Sequence, residues 1–326
     1  MKKTVLAFSS LSAPLKQQLA AQFNLLNVDP KAGDLEQQFQ QLLPQADGLI
    51  GSGRVLDESL LQYAQKLKVI STISVGYDNY DVNYLTWRGI LLTNTPDVLT
   101  ETTADLAFAL LMAAARRVCE LDQWTKQGHW KRTLPAAQYG VDIYGKTLGI
   151  IGLGNIGAAM ARRGRFGFNM PILYSGRSRK TELEQQLNAR FCSQDELLQQ
   201  SDFVSLHVAL NEQTRHLIAA EQLAHMKKTA ILINVARGQV IDEPALIDAL
   251  TKQRILAAGL DVYAKEPLQQ SALFVLPNVV TLPHIGSATV ETRQAMNDLA
   301  LANLCNALSG QQPAYMVNPQ VWLAKT

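Results

Sequence analysis

The first third of the chain alternates short runs of apolar, β-prone residues with longer stretches in which apolar residues recur at helical spacing. The short runs predict strands at residues 4–8, 24–28, 48–51, 69–73 and 90–92. The stretches between them predict helices at residues 15–23, 35–43, 58–66 and 82–87. Strands that alternate with helices are typical of a parallel sheet covered on both faces. We therefore expect an α/β domain here.

Pro96 interrupts this alternation, and residues 101–117 then show a long and very apolar helical pattern. Such a helix must be buried, between domains or between subunits. Its most apolar part, residues 104–115, is too short to span a bilayer. Residues 124–144 are rich in tryptophan and show no period. They form either an arm that wraps a neighbouring subunit or a long surface loop.

The remainder of the chain repeats the alternation of strands and helices. Strands are predicted at residues 147–151, 171–174, 203–207, 230–234, 257–261 and 279–282. Residues 290–308 predict a long helix that carries the chain back to the first domain. No repeat of solenoid period and no low-complexity tract is present.

The first strand of this second group, residues 147–151, passes directly into a glycine-rich segment. The segment reads Gly152-Leu153-Gly154-Asn155-Ile156-Gly157, and a helical run follows it. A G-x-G-x-x-G motif between a strand and a helix predicts a dinucleotide site. A chance cluster of glycines in a loop is the alternative interpretation, and it would not require the strand and helix on either side. The first half of the chain has no such motif, so we expect it to hold no dinucleotide.

Each glycine of the motif has a physical role in binding a dinucleotide. Gly152 permits the tight turn, Gly154 lets a pyrophosphate approach the backbone, and Gly157 lets the helix pack closely on its strand. The helix N-terminus offers free N–H groups and a positive dipole end to the phosphates. We expect Asn155 and Ile156, which lie within the motif, to contact the cofactor as well.

These patterns predict a fold of two doubly wound parallel-sheet domains. We expect a Rossmann dinucleotide-binding domain, residues 97–289, to be inserted in a flavodoxin-like domain made of residues 1–96 and 290–326, which is left to bind the substrate. A length of 326 residues agrees with about two domains.

Composition limits the partners and the compartment. The 30 basic and 28 acidic residues are scattered and leave a net charge of +2, so nucleic acid is not an expected partner. The three cysteines, Cys119, Cys192 and Cys305, are far apart, which favours free thiols in a reducing compartment and no metal site. The apolar run after Lys3 is too short for a signal peptide. We expect a cytoplasmic protein without a membrane anchor.

The end of the second strand of the nucleotide domain bears on the choice of cofactor. Enzymes that use NAD usually have Asp or Glu there, which accepts hydrogen bonds from the ribose. This chain has Ser175, followed by Arg177, Ser178 and Arg179. A planar guanidinium suits the oxygens of a ribose phosphate. The segment therefore predicts NADP(H) as the preferred cofactor, with NAD(H) as the alternative; a solvated basic loop is the other interpretation.

Three successive strand ends carry polar residues suited to carbonyl reduction. Arg237 follows the strand at 230–234, beside Ala236, which we expect to contact the cofactor. Glu266 and His284 follow the next two strands. The carboxyl ends of parallel strands share one edge of the sheet. His284 is the natural proton donor, and Glu266 would orient its ring and favour the protonated form.

Arg237 would hold the carboxylate of a 2-oxo acid and polarise its carbonyl. Each residue has an alternative role. Arg237 could pair with Asp242 to hold its own loop, Glu266 could be a solvated loop residue, and His284 could be a structural histidine. The other histidines share no such constellation, although His207 also lies at a strand end.

At these residues the chain resembles the D-isomer-specific 2-hydroxyacid dehydrogenase family, over nearly its whole length. The matching motifs are G-L-G-N-I-G at residues 152–157, N-V-A-R-G at 234–238, G-L-D-V-Y-A-K-E-P at 259–267, L-P-H-I-G-S-A-T at 282–289, S-V-G-Y-D-N-Y-D at 74–81 and T-E-T-T-A-D at 100–105. Within the family the chain is most similar to the reductases of glyoxylate and hydroxypyruvate.

The resemblance implies a catalytic set of Arg237, Glu266 and His284. It also implies that the backbone N–H groups of Val75 and Gly76 bind the substrate carboxylate, and that two further residues lie near the nicotinamide, Thr103 and Asp261. It implies a homodimer formed through the nucleotide domains, with substrate bound between two domains that close on it. Many members have a proline just after the strand that ends near His207, where this chain has Val208-Ala209-Leu210.

The expected activity is the NADPH-dependent reduction of small 2-oxo acids, with glyoxylate and hydroxypyruvate first. A reductase of the larger 2-keto-D-gluconate is the nearest alternative. A dinucleotide-sensing binding protein, similar to the corepressors that share this fold, is the alternative from another class. Two other branches of the family fit less well. Phosphoglycerate dehydrogenases often carry an added regulatory domain, and formate dehydrogenases have Gln where this chain has Glu266.

Overall fold

The computed structural model describes residues 2–28 and 33–324. Its strands are β1 (Thr4–Ala7), β2 (Asn24–Asn27), β3 (Gly48–Gly51), β4 (Val69–Thr72), β5 (Leu91–Thr93), β6 (Leu148–Ile151), β7 (Ile172–Ser175), β8 (Ala189–Phe191), β9 (Phe203–Leu206), β10 (Ile231–Asn234), β11 (Ala257–Leu260) and β12 (Val279–Thr281). Its helices are α1 (Ala13–Gln22), α2 (Leu35–Leu42), α3 (Glu58–Leu61), α4 (Val82–Trp87), α5 (Thr100–Ala115), α6 (Val118–Lys126), α7 (Asn155–Arg162), α8 (Thr181–Leu187), α9 (Gln194–Gln200), α10 (Ala220–His225), α11 (Glu243–Thr251), α12 (Val290–Ser309) and α13 (Gln320–Leu323).

The chain divides into two compact units. Unit 1 contains the residues up to Val98 and those from Thr289 onward, and unit 2 is Leu99–Ala288. Each unit has its own parallel sheet. The expected class of two doubly wound α/β domains, one inserted in the other, is confirmed.

Unit 1 has a five-stranded sheet in the order β2-β1-β3-β4-β5. This 2-1-3-4-5 order is the flavodoxin-like one. Leu6, Leu49 and Ile70 of adjacent strands are fully buried in a core that also contains Phe39 of α2. The returning helix α12 belongs to this unit, where the hydroxyl of Ser71 on β4 donates to its Ala300 carbonyl at 2.8 Å.

Unit 2 has a seven-stranded sheet in the order β8-β7-β6-β9-β10-β11-β12. The first six strands follow the 3-2-1-4-5-6 order of a Rossmann fold. Successive residues of β6 face opposite sides of the sheet, since side chains alternate along a strand. Ile150 contributes to one apolar core together with Ala107 of α5, and Ile151 contributes to the other together with Leu198 and Leu223.

The apolar helix predicted at residues 101–117 is α5, and the expectation of burial is confirmed. It packs within the core of unit 2 itself, where Ala107, Leu110 and Leu111 are almost fully buried. A Cβ placed on Gly259 of β11 would lie 3.1 Å from the Leu110 Cβ. No described helix is both long and apolar enough to cross a bilayer.

Three local features of the structure differ from what the sequence predicted. The helix predicted at residues 58–66 ends at Leu61 and continues as turns. The segment predicted as irregular at 124–144 begins inside α6. This helix starts just after Arg117, whose backbone has a left-handed conformation with φ 55°. Strand β8 was not predicted, because three residues at a sheet edge with one exposed side chain carry almost no pattern.

Candidate active site

The glycine motif forms a tight turn at the carboxyl end of β6. Gly152 has φ 96°, a left-handed conformation that favours glycine, and a Cβ there would lie 2.9 Å from the carbonyl carbon of His207. A Cβ on Gly157 would lie 2.2 Å from the Gly152 carbonyl oxygen. The protein's own backbone therefore requires glycine at both positions.

Gly154 differs from its two neighbours in the motif. It is exposed, its φ of −87° suits any residue, and no heavy atom lies within 4 Å of a Cβ built on it. As the N-cap of α7 it offers no capping side chain. The exposed Asn155 and half-buried Ile156 begin the helix, whose first N–H groups have no intrahelical acceptor. This open backbone can approach an anion such as a pyrophosphate.

The two kinds of glycine predict different effects of alanine. Gly157→Ala should lower the melting temperature and weaken NADPH binding, because overpacking costs about 1–3 kcal/mol. Gly154→Ala should leave the melting temperature unchanged and still weaken NADPH binding about tenfold or more, because its methyl group takes space a phosphate needs. Thermal unfolding and fluorescence titration with NADPH measure the two effects.

Gly167→Ala is the matched control, since a Cβ at this exposed glycine also meets no atom within 4 Å. It should change neither the melting temperature nor the affinity. Wild-type NADPH affinity in Gly154→Ala would contradict the assignment of the turn to the pyrophosphate.

The turn after β7 carries the residues predicted to select the cofactor. Ser175 ends the strand, is 6% exposed, and accepts the Gly152 N–H at 2.9 Å. Arg177 and Ser178 are exposed. Arg179 lies 2.6 Å from Glu184 of α8. Hydrogen bonds from Arg179 and from the Tyr174 hydroxyl lower the pKa of Glu184 to about 2.

This ion pair distinguishes the two arginines that were predicted to be able to pair with a ribose phosphate. The Arg179 guanidinium has a carboxylate partner, Glu184. Within the described part of the chain, Arg177 forms no ion pair. Arg177 is therefore the better candidate for a ribose phosphate.

The loop after β10 is shaped by a buried asparagine. The Asn234 side chain accepts the Ala236 N–H at 3.0 Å and donates to the Arg237 carbonyl at 2.9 Å. These bonds hold the loop that presents the half-buried Arg237 side chain. Asp242, considered above as its partner, caps α11 by accepting the Ala245 N–H at 3.2 Å.

The structure brings Glu266 and His284 into direct contact. The His284 Nδ1 lies 2.6 Å from a Glu266 carboxylate oxygen, and the imidazole is 49% exposed. Burial would raise the pKa of Glu266, but bonds from His284 and the Tyr263 N–H, with the charges of His284 and Arg237, outweigh burial and lower the pKa. Glu266 is thus ionised at neutral pH, and the imidazole's other nitrogen faces away from it.

His284 itself has φ 56°. A left-handed conformation costs a non-glycine residue about 1–2 kcal/mol, so surrounding bonds must hold it. Both oxygens of the buried Asp261 accept backbone N–H groups just after His284, from Ile285 at 2.7 Å and Gly286 at 2.8 Å. Burial raises the pKa of Asp261 despite these bonds.

Thr103 lies in the same region of unit 2. Its side chain is 5% exposed, and a Cβ on Gly286 would lie 3.4 Å from the Thr103 methyl group and 3.3 Å from an Asp261 oxygen. Thr103 and Asp261 therefore lie beside the loop of His284. The resemblance implied that both lie near the nicotinamide, and their place in the structure is compatible with that role.

His207, the other histidine at a strand end, has a different environment. Its Nε2 lies 2.8 Å from the Ser205 hydroxyl, and the buried Nδ1 has no partner in the described structure. Burial lowers the pKa of His207 to about 3. It is therefore neutral at neutral pH, which leaves His284 as the better proton donor.

Val75 and Gly76 belong to unit 1, in the turn that follows β4. The Asn94 amide donates to the Val75 carbonyl at 3.0 Å, and the Ser74 hydroxyl donates to the Gly76 carbonyl at 2.9 Å. Within the described residues, the N–H groups of Val75 and Gly76 have no hydrogen-bond partner. A turn with two free donors suits a carboxylate.

Sequence reasoning missed the residues that hold these loops, Asn94, Asn234 and Tyr263. Asn234 lies within the N-V-A-R-G motif, and an asparagine at a strand end before a turn was a signal that could have identified it. Asn94 precedes Thr95-Pro96 and offered a similar signal.

Comparison with known proteins identifies the family. A family model, the NAD binding domain of the D-isomer specific 2-hydroxyacid dehydrogenases, matches residues 108–286. The chain is 48% identical over 322 residues to glyoxylate/hydroxypyruvate reductase B of Serratia proteamaculans, covering 98% of this chain and 99% of that protein. The protein described here thus belongs to the D-isomer specific 2-hydroxyacid dehydrogenase family.

Two solved structures share both the fold and the sequence relationship. One is an NADPH-dependent glyoxylate/hydroxypyruvate reductase from Sinorhizobium meliloti, in complex with NADP and malonate; it has 32% identity, a TM-score of 0.86 and 97% coverage of each chain. The other is a D-lactate dehydrogenase from Aquifex aeolicus, complexed with NAD and lactic acid; it has 26% identity and a TM-score of 0.87, covering 97% of this chain and 99% of that one.

Proposed function

We propose that this protein is an NADPH-preferring reductase that converts glyoxylate to glycolate and hydroxypyruvate to D-glycerate. The observation that carries the proposal is the 2.6 Å hydrogen bond between Glu266 and His284, in the same unit as the glycine turn and Arg237. An oriented, solvent-accessible imidazole is the proton donor that carbonyl reduction requires. The names of the curated relatives agree with this reaction.

The residues of the site have separate tasks in this reaction. When bound, NADPH supplies the hydride that the carbonyl carbon accepts. His284 gives its Nε2 proton to the carbonyl oxygen and regains one from solvent, while Glu266 holds the Nδ1 side and stabilises the imidazolium. Arg237 binds the carboxylate and polarises the carbonyl. The free N–H groups of Val75 and Gly76 are proposed to bind carboxylate oxygens.

The cofactor is assigned to the open backbone of the glycine turn and to the turn after β7. The residues proposed to contact it are Gly152, Gly154, Asn155, Ile156, Gly157, Ser175, Arg177, Ser178, Thr103, Ala236 and Asp261. The space over Gly154 and the uncapped start of α7 fit a pyrophosphate. Ser175 stands where an Asp or Glu would repel a ribose phosphate, and its side chain carries no negative charge.

Arg177→Ala should raise the KM for NADPH about tenfold or more and leave the KM for NADH nearly unchanged, because only NADPH has the phosphate that the guanidinium pairs with. Steady-state kinetics with both cofactors measures this ratio. Arg179→Ala is the matched control; its side chain already pairs with Glu184, so we expect a smaller change. An equal effect of Arg177→Ala on both cofactors would refute the assignment.

The substrate class is tested by the loss of reduced-nicotinamide absorbance with NADPH and NADH, each against glyoxylate, hydroxypyruvate and 2-keto-D-gluconate. Fast oxidation of NADPH with the two short acids is the expected result. Turnover only with 2-keto-D-gluconate would keep the mechanism and change the substrate. Tight NADPH binding without any turnover would favour a dinucleotide-sensing protein.

The organisation of the molecule is part of the same proposal. Residues 1–96 and 290–326 are assigned to substrate binding and residues 97–289 to the dinucleotide. Free thiols at Cys119, Cys192 and Cys305 suit the cytoplasm. A homodimer is proposed from the family resemblance, and sedimentation velocity would test it.

A further inference from the structure

Tyr263 occupies a central place beneath the candidate active site. It is the third residue after β11 and is only 6% exposed. Its hydroxyl donates to the Leu282 carbonyl at 2.8 Å, and its backbone N–H donates to a Glu266 carboxylate oxygen at 2.9 Å. One residue therefore bonds both the carboxylate of the pair and the strand end that leads into His284.

The same residue also contacts the loop of Arg237. A Cβ placed on Gly238 would lie only 1.8 Å from the Tyr263 carbonyl carbon, so the two backbones touch at a position where only glycine fits. Tyr263 is thus shared by all three strand-end loops that carry Arg237, Glu266 and His284.

The left-handed backbone of His284 explains why such a bond matters. Asp261 holds the residues just after His284 by accepting the N–H groups of Ile285 and Gly286. The Tyr263 hydroxyl holds the chain two residues before it, at Leu282. An unfavourable φ persists only where bonds on both sides determine it.

We propose that Tyr263 is a positioning residue, whose hydroxyl holds the His284 loop in the conformation that aligns the imidazole with Glu266 for proton transfer. The proposal rests on the reductase function proposed above. A merely structural role would reduce the folded fraction; a positioning role lowers the rate of proton transfer in folded enzyme.

Tyr263→Phe removes only the hydroxyl and retains the ring and the N–H bond to Glu266. The variant should fold, because it keeps the buried ring, and an unpaired carbonyl costs about 1–3 kcal/mol, which is less than the stability of a typical domain. We expect kcat for hydroxypyruvate to fall about tenfold, with KM for NADPH within about twofold of wild type. The solvent deuterium isotope effect on kcat should increase, since proton transfer becomes slower.

Tyr144→Phe is the control for loss of a tyrosine hydroxyl, because Tyr144 is 69% exposed; it should leave kcat and the isotope effect unchanged. The double variant Tyr263→Phe/Glu266→Gln gives a second test. If the hydroxyl works by aligning Glu266 with His284, its removal should lower kcat by less than about threefold in an enzyme that already carries Glu266→Gln.

Three results would overturn the proposal. Wild-type kcat in folded Tyr263→Phe would show that the hydroxyl is not needed. A lower kcat with an unchanged isotope effect, and the same cost in the Glu266→Gln background, would indicate loss of folded enzyme only. Both results leave the reductase function intact, whereas no turnover by the wild-type enzyme would overturn the function and the positioning role together.

Discussion

His284→Ala should lower kcat for hydroxypyruvate by about a thousandfold, because a positioned general acid contributes about 10²–10⁴-fold to proton transfer. Without a positioned acid, hydride transfer has to build up the full negative charge of a free alkoxide on the substrate oxygen. NADPH affinity should change little, since His284 lies in the loop after β12 and the glycine turn follows β6. Stopped-flow measurement of NADPH oxidation, with fluorescence titration of the cofactor, separates these quantities.

His225→Ala is the matched control for this variant. His225 also pairs with a carboxylate, Asp195, at 3.3 Å, but on α10 and away from the strand-end loops. It should retain wild-type kcat. The kcat of Glu266→Gln should lie between those of His284→Ala and His225→Ala, because a neutral amide still contacts the ring but does not stabilise the imidazolium. Full turnover by His284→Ala would show that the proton comes from another group.

Arg237→Ala should lower kcat/KM for hydroxypyruvate by about 10²–10³-fold, because it removes the charge proposed to bind the carboxylate and to stabilise oxygen charge in the transition state. Arg237→Lys should recover only part of this loss, since an ammonium lacks the planar pair of donors. Addition of guanidinium should partly restore Arg237→Ala. Steady-state kinetics with and without guanidinium provides the measurement.

Arg254→Ala is the corresponding control. Arg254 is an exposed arginine of unit 2 that pairs with Asp248 at 3.4 Å, and its loss should not change kcat/KM. If Arg237→Ala lowered the melting temperature but kept wild-type kcat/KM in folded enzyme, Arg237 would hold its loop and not the substrate.

Local sequence determined much of the fold. The glycine turn was predictable because its constraints lie largely within the motif itself: Gly152 has a left-handed φ, and Gly157 touches the Gly152 carbonyl oxygen. The buried strands were predictable because both faces of each parallel sheet are covered, so their residues form short continuous apolar runs. Arg237, Glu266 and His284 were predicted at one edge because parallel strands share that edge.

The tertiary structure decided what no local pattern encodes. The short edge strand β8 forms by pairing with its neighbour β7. The Ile285 N–H donates to Asp261, 24 positions away, and the Tyr263 hydroxyl donates to the Leu282 carbonyl, 19 positions away. Such bonds form only after the sheet has assembled in its β10-β11-β12 order. The sequence by itself therefore indicated which groups do the chemistry, and the folded sheet decided which residues hold them in place.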